Sequence, residues 1–315
     1  MEYRKLISFG KNSFVISLPK AWISQNKLEK GDLIYLEEEG QSLRLRIKES
    51  EKPVEEKTAS IVIDGKSPQA IQREVIATYV QNYPKIILKG NEIKSSVKEL
   101  QGIIQNLIAL EIMEQTSDSI IARDFLNMDT VSVDELLRKM DIVTRTMFKE
   151  MCNIFTEDNY ENLNDRDTDV NRLYFLLYRA ILYNLENPTK AMKNLKMTGK
   201  DLLKINFLAF YVEATADEVR RVARFSHKLK ITPAKQKQLE SYFKKMRDLY
   251  MDTMKAALAK DIKGALALAD HKRSCDRDLK DIEDPKIPEL NYVVSRLQRM
   301  TSLVHNMGRI VYTLG

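Results

Sequence analysis

Apolar positions in the first fifty residues fall in short runs and alternations, the pattern of strands, around one helical interruption. Residues 6–18 hold two apolar runs separated by the turn signal Gly10-Lys11-Asn12, and the second run stops at Pro19, which predicts a hairpin. Pro19 suits a first helical turn, residues 20–25 continue it, and Asn26 is read as the left-handed residue that ends it. Gly31-Asp32 then turns the chain into an apolar run over 33–36, and residues 38–40 turn it again. Leu43, Leu45 and Ile47 alternate with Arg44, Arg46 and Lys48, so the last strand has one apolar face and one cationic face. A unit of this size, 1–50, is too small to be stable alone. Dimerisation is the simplest remedy, with Trp22 plugging the small core.

Residues 51–58 are charged, contain Pro53 and read as a linker. A strand over 60–64, a helix opened by Ser67 and Pro68 and running to Val80, and a strand over 85–88 form a β-α-β pattern. A helix over 93–114 and a strand over 119–122 complete a small α/β domain, 59–130, with Ile108 and Met113 among its core positions. It is read as a structural platform. From Val133 the period becomes helical: Leu136, Leu137, Met140, Val143, Met147, Met151 and Ile154 recur at steps of three and four. Further helices are expected over 167–185, 202–225, 233–259, 265–282 and 290–314, bounded by Asp, Thr-Pro, Gly and Pro signals. Six helices suggest two three-helix bundles, 131–230 and 231–315. Ile205-Asn206-Phe207 and Leu290-Asn291-Tyr292 match at an offset of 85, which pairs Glu213 with Gln298 and Asp217 with Ser302. The expected fold class is α+β, mainly α.

Composition narrows the function. The 315 residues carry 51 basic and 45 acidic side chains, a net charge of +6 that is too small to imply a partner by itself. Its placement is uneven: six basic and two acidic residues in 1–30, ten and two in 218–247, one and six in 156–169. Cys152 and Cys275 are too far apart for a disulfide framework, and His227, His271 and His305 are scattered, which disfavours a His-based triad or all-His metal site. His271 and Cys275 share helical spacing, but two ligands make no site. No P-loop, nucleophile elbow or paired-cysteine motif is present, so no enzyme class is suggested. No apolar run approaches the ~18 residues that span a bilayer, and 1–50 lacks an apolar signal core, so the expectation is a cytoplasmic protein without membrane insertion.

Two stretches resemble known families. Arg4-Lys5, Gly10-Lys11-Asn12-Ser13, the run from Val15 through Leu18-Pro19-Lys20 to Trp22, and Leu28-Glu29-Lys30-Gly31-Asp32 resemble the SpoVT/AbrB swapped-hairpin domain, with its G-x-S-x-V-I-x-L-P-K and L-x-x-G-D order. One departure is Asn26-Lys27, where that family usually has glycine. The resemblance implies an interleaved dimeric β-barrel whose basic strands face DNA, with Arg4, Lys5, Lys11 and Lys20 as contacts. The same fold also serves as a plain dimerisation module in antitoxin-like proteins. The stretch from Asp167 through Val170-Asn171-Arg172-Leu173-Tyr174-Phe175-Leu176 to Arg179 resembles the D-x-x-V-D-R-L-Y-F-L-x-x-R stretch of PhoU, the regulator of phosphate uptake. Residues 107–114 and Glu213-Ala214-Thr215-Ala216-Asp217 resemble two further segments of that family. A SpoVT/AbrB-like start joined to a PhoU-like end resembles an archaeal type of phosphate regulator.

PhoU proteins often hold metal clusters, of divalent or iron-type ions, on E/D-x-x-x-D pairs. Carboxylates at i and i+4 share a helical face and repel unless a cation or proton intervenes. By this resemblance Asp167, Glu213 and Asp217 are the metal candidates. Asn171 replaces an acid, and in the second bundle only Asp276 remains beside Lys280, Gln298 and Ser302. The competing reading has Asp167 capping the second helix and Glu213 and Asp217 solvated or paired with Arg220 and Arg221. The expectation is a dimeric DNA-binding regulator of phosphate uptake and phosphate homeostasis. The alternative is an adaptor that binds no DNA and docks on a phosphate-transporter ATPase or sensor kinase through its helical bundles.

Overall fold

The computed structural model describes residues 3–11, 13–39, 42–47, 57–157 and 159–314. It divides into two compact units, Met1–Glu55 and Glu56–Gly315. The linker read over 51–58 lies outside the described residues as far as 56, and Thr58 already belongs to a strand.

In the smaller unit β1 (Ile7–Phe9) and β2 (Ser13–Val15) form an antiparallel hairpin pairing Ile7 with Val15. Helix α1 (Lys20–Gln25) follows, then β3 (Ile34–Glu39) and β4 (Ser42–Ile47) form a second hairpin. The helix end differs from expectation: Asn26 has φ −93°, and Lys27 takes the left-handed conformation at φ +52°. Asn26 instead donates its side-chain amide to the Trp22 carbonyl at 2.7 Å. Within one chain the two hairpins are separate sheets and no barrel closes among the described residues. Every residue of this unit whose burial is described is exposed or half-buried; Phe9 and Phe14 are 68% and 67% exposed, on opposite faces of the first hairpin. Trp22 is half-buried within the single chain.

The larger unit opens with an α/β layer. Strands β5 (Thr58–Val62) and β6 (Lys85–Lys89) are parallel and joined by α2 (Pro68–Val80), where Ser67 caps the first turn by accepting from the Ala70 N–H. Helix α3 spans Ile93–Gln105, and β7 (Leu110–Gln115) and β8 (Ser119–Asp124) complete a sheet ordered β5-β6-β8-β7. The helix expected over 93–114 therefore stops early. Ala109 at φ +64° turns the chain, and Leu110, Glu111 and Ile112 alternate across the sheet. Met113 sits at the bulge of edge strand β7 and is 56% exposed, not a core residue. Ile108 is partly buried. Ile61, Ile63, Ile86, Leu88, Ile120 and Ala122 pack with α2 and α3 into one core.

The remainder is helical: α4 (Val133–Cys152), α5 (Tyr160–Glu186), the short α6 (Pro188–Lys190) running into a π turn, α7 (Gly199–Ser226), α8 (Pro233–Ala259), α9 (Ile262–Ala269), α10 (His271–Ile282) and α11 (Pro288–Leu314). α8 matches the expected bounds; the helix expected over 265–282 is broken at Asp270 into α9 and α10. α5 begins at Tyr160, seven residues before Asp167, so Asp167 lies inside the helix and caps nothing. α7 packs against α4, α5 and α11, and all the long helices share one continuous apolar core. Cys152 and Cys275 are both buried and free. No described helix is long and apolar enough to cross a membrane.

The α/β core and the helical core meet along α5. Phe175, Tyr178 and Leu182 of α5 pack into the α/β core. Between them Arg179, buried, pairs with Asp124 at the end of β8, donates from Nε to Asn82 Oδ1 at 2.8 Å, and lies over the Tyr79 ring at 4.5 Å. Desolvated charges are tolerated because each finds a partner.

Candidate functional site

Two regions carry the residues singled out from sequence. In the smaller unit Arg4 and Lys5 precede β1, Lys11 occupies the β1–β2 turn next to Gly10 (φ +72°), and Lys20 opens α1; all four are exposed. Glycine suits Gly10 because a side chain at that φ is strained. The Gly31-Asp32 signature also has a local reason: the Asp32 carboxylate accepts from the Glu29 N–H at 2.7 Å and closes the loop before β3. Exposed cations on a turn, a strand approach and a helix start can meet phosphates without reading bases.

The second region lies where α5, α7 and α11 meet. Asp167 and Asn171 project from α5, and the Asn171 amide reaches Asp167 at 3.4 Å. Glu213 and Asp217 lie one turn apart on α7. Arg220 stands between the two helices: its Nε is 3.0 Å from Asp167, and its Nη2 donates to Asp217 at 2.7 Å. Arg221 pairs with the other Asp217 oxygen at 2.7 Å. The chain of charge continues through buried Glu218, which lies 3.7 Å from Arg221, 3.6 Å from Arg296 and 3.1 Å from Arg299. Arg296 in turn donates to the Tyr292 hydroxyl at 2.7 Å and stacks on its ring, whose edge meets Phe225.

Electrostatics follow from burial and neighbours. Burial raises the Asp167 carboxyl above its ordinary range against the pull of Arg220. Glu213 has no hydrogen bond or ion pair among the described residues; burial, then the charges of Asp217 and Asp167, push it up to about 7. Glu218 is raised by burial, with its three arginines opposing.

This arrangement does not fit the metal that the PhoU resemblance implies. The Arg220 guanidinium already supplies the cation that Asp167 and Asp217 need, and a divalent ion beside it would face a fixed positive charge. Among the described residues no group of three or more His, Cys, Asp and Glu is placed to hold a metal. In the repeat-related positions Gln298 donates to Glu283 at 3.3 Å and Ser302 to the Gln298 carbonyl at 3.1 Å. His271 is exposed while Cys275, one turn further along α10, is buried. Sequence reasoning assigned no role to Glu218 or to Arg179, which closes the PhoU-like stretch; the available signal was a charged residue at an otherwise apolar helical phase.

Residues 7–54 match the family model described as antidote-toxin recognition MazE, bacterial antitoxin. Among solved structures the chain is similar to PhoU from Pseudomonas aeruginosa at 16% identity and a TM-score of 0.48, over 58% of this chain and 94% of that one. No curated protein matches the chain. The smaller unit is thus a MazE/AbrB-like domain, and it is joined to an α/β layer and a helical body.

Proposed function

We propose that the protein is a dimeric DNA-binding regulator of phosphate uptake that acts in the cytoplasm. The observation that carries the DNA-binding part is the MazE/AbrB-like unit with Arg4, Lys5, Lys11 and Lys20 exposed around its first hairpin. Dimerisation is supported by that hairpin's apolar side chains, exposed on both faces in a single copy, which a second copy's hairpins would cover. Two copies then present about eight cations to the duplex, giving sequence-independent affinity with a steep salt dependence. The link to phosphate rests on the motifs at 107–114, 167–179 and 213–217 that resemble PhoU.

A second reading has its own observation. Leu203, Phe207 and Phe210 lie at i, i+4 and i+7 on α7 and are 44%, 38% and 47% exposed, an apolar stripe suited to a helix of a partner protein of the phosphate-transport system. Charge reversal, K11E/K20E, separates the two readings. Loss of retention on phosphate-transporter promoter DNA with an unchanged dimer supports the first. Absence of any DNA binding by the unaltered dimer at low salt abandons it for the adaptor.

A further inference from the structure

The segment from Glu218 to Arg247 holds ten basic and two acidic residues, a surplus larger than that of the whole chain. The structure sorts these cations into two sets. Arg220 and Arg221 are held by the carboxylates of α5 and α7. Lys235 reaches the Ile282 carbonyl at the end of α10 at 2.7 Å, Lys245 pairs with Asp278, and Arg247 with Asp248 at 2.8 Å. These five serve the fold. Arg224, Lys228, Lys230, Lys237 and Lys244 are exposed and make no hydrogen bond or ion pair among the described residues.

Helical phase groups the second set. Arg224 lies in the last turn of α7, Lys228 and Lys230 lie in the connection to α8, and Lys237 and Lys244, seven apart, share one stripe of α8. That stripe is opposite in character to the one carrying Leu239, Tyr242, Phe243 and Met246, which is buried. Lysines outnumber arginine four to one here, and the neighbouring exposed aromatics Phe225 and Tyr292 are engaged with each other, their ring centroids 4.3 Å apart. Protein interfaces are depleted in lysine, whereas lysine is an ordinary contact to phosphate.

We propose that this α7–α8 corner is a second, sequence-independent contact to the DNA backbone. The inference rests on the DNA-binding reading above. A contact to phosphates alone is made whatever the base sequence. It adds affinity but no sequence discrimination.

The test uses the full chain and two duplexes, a phosphate-transporter promoter fragment and a scrambled one of equal length, with affinity measured across a salt series. Replacing Lys228, Lys230, Lys237 and Lys244 together by Gln removes charge at exposed positions with little change in helix propensity. The slope of log affinity against log salt is expected to fall by roughly 2–4, about 0.9 per lost phosphate contact, equally on both duplexes. The same loss is expected in a K11Q/K20Q background. Replacing the four by Arg should restore the slope, which separates charge from structural damage. An unchanged slope in the Gln variant, with the parent protein binding normally, overturns the proposal and leaves an acidic protein surface as the occupant of the patch. If the parent binds neither duplex at low salt, the DNA-binding reading itself has failed and this contact fails with it.

Discussion

Arg179 joins the two cores of the larger unit, and its pairing predicts the cost of losing it. R179M leaves Asp124 buried without its counter-charge, so the variant should lose about 3–5 kcal/mol of stability in urea denaturation. Adding D124N should recover part of that, because a buried amide costs less than a buried carboxylate. Glu213 gives a pH test. Folded protein holds its proton up to about pH 7, whereas the unfolded chain releases it near the ordinary value of 4.5, so stability falls as pH rises through that window. In E213Q the urea midpoint should lose this part of its pH dependence; an unaltered profile would show that Glu213 does not titrate there. Asn26 and Lys27 show why residue-level reading stopped short. Side-chain preference favoured Asn for the left-handed site, but Asn26 found a better use bonding back to the Trp22 carbonyl, and Lys27 took the conformation.

At the scale of elements, periodicity served the long helices and failed the short edge strand. α8 and α2 were legible end to end, because Thr232-Pro233 and Ser67-Pro68 supply both a cap and a first-turn proline. Strand β7 was read as helix because Leu107, Ile108, Leu110 and Ile112 satisfy either period over so short a run. Pairing with β8 decided it. The first hairpin carries the prediction proper to this scale. With Phe9 and Phe14 exposed on opposite faces in one copy, F9S/F14S should convert a dimer into monomers, checked by light scattering on a sizing column, while leaving the helical signal of the larger unit intact.

For the whole molecule, division into two units has a thermodynamic consequence. The larger unit has its own cores, whereas no residue of the smaller one whose burial is described is buried in a single copy. Calorimetry should show two transitions, and only the one belonging to the smaller unit should rise with protein concentration, since its stability is tied to association by mass action. A single concentration-independent transition would contradict this.

What sequence alone determined is what local rules govern: the hairpin signals, the run of helices and the segregation of charge. These follow from turn chemistry, caps and hydrophobic period, each set by a few neighbouring residues. Tertiary structure decided the rest. Asp167 looked like a helix cap or a metal ligand until α5 was seen to start earlier and Arg220, from α7, to occupy the space beside it. Likewise ten clustered cations became five that hold the fold and five that face solvent only when α10 and α5 supplied partners from distant sequence. Asp217 pairs with Arg220 and Arg221 at the spacing read along one helix, but the partners of Asp167 and Lys245 depend on which helices meet, and no such spacing reports that.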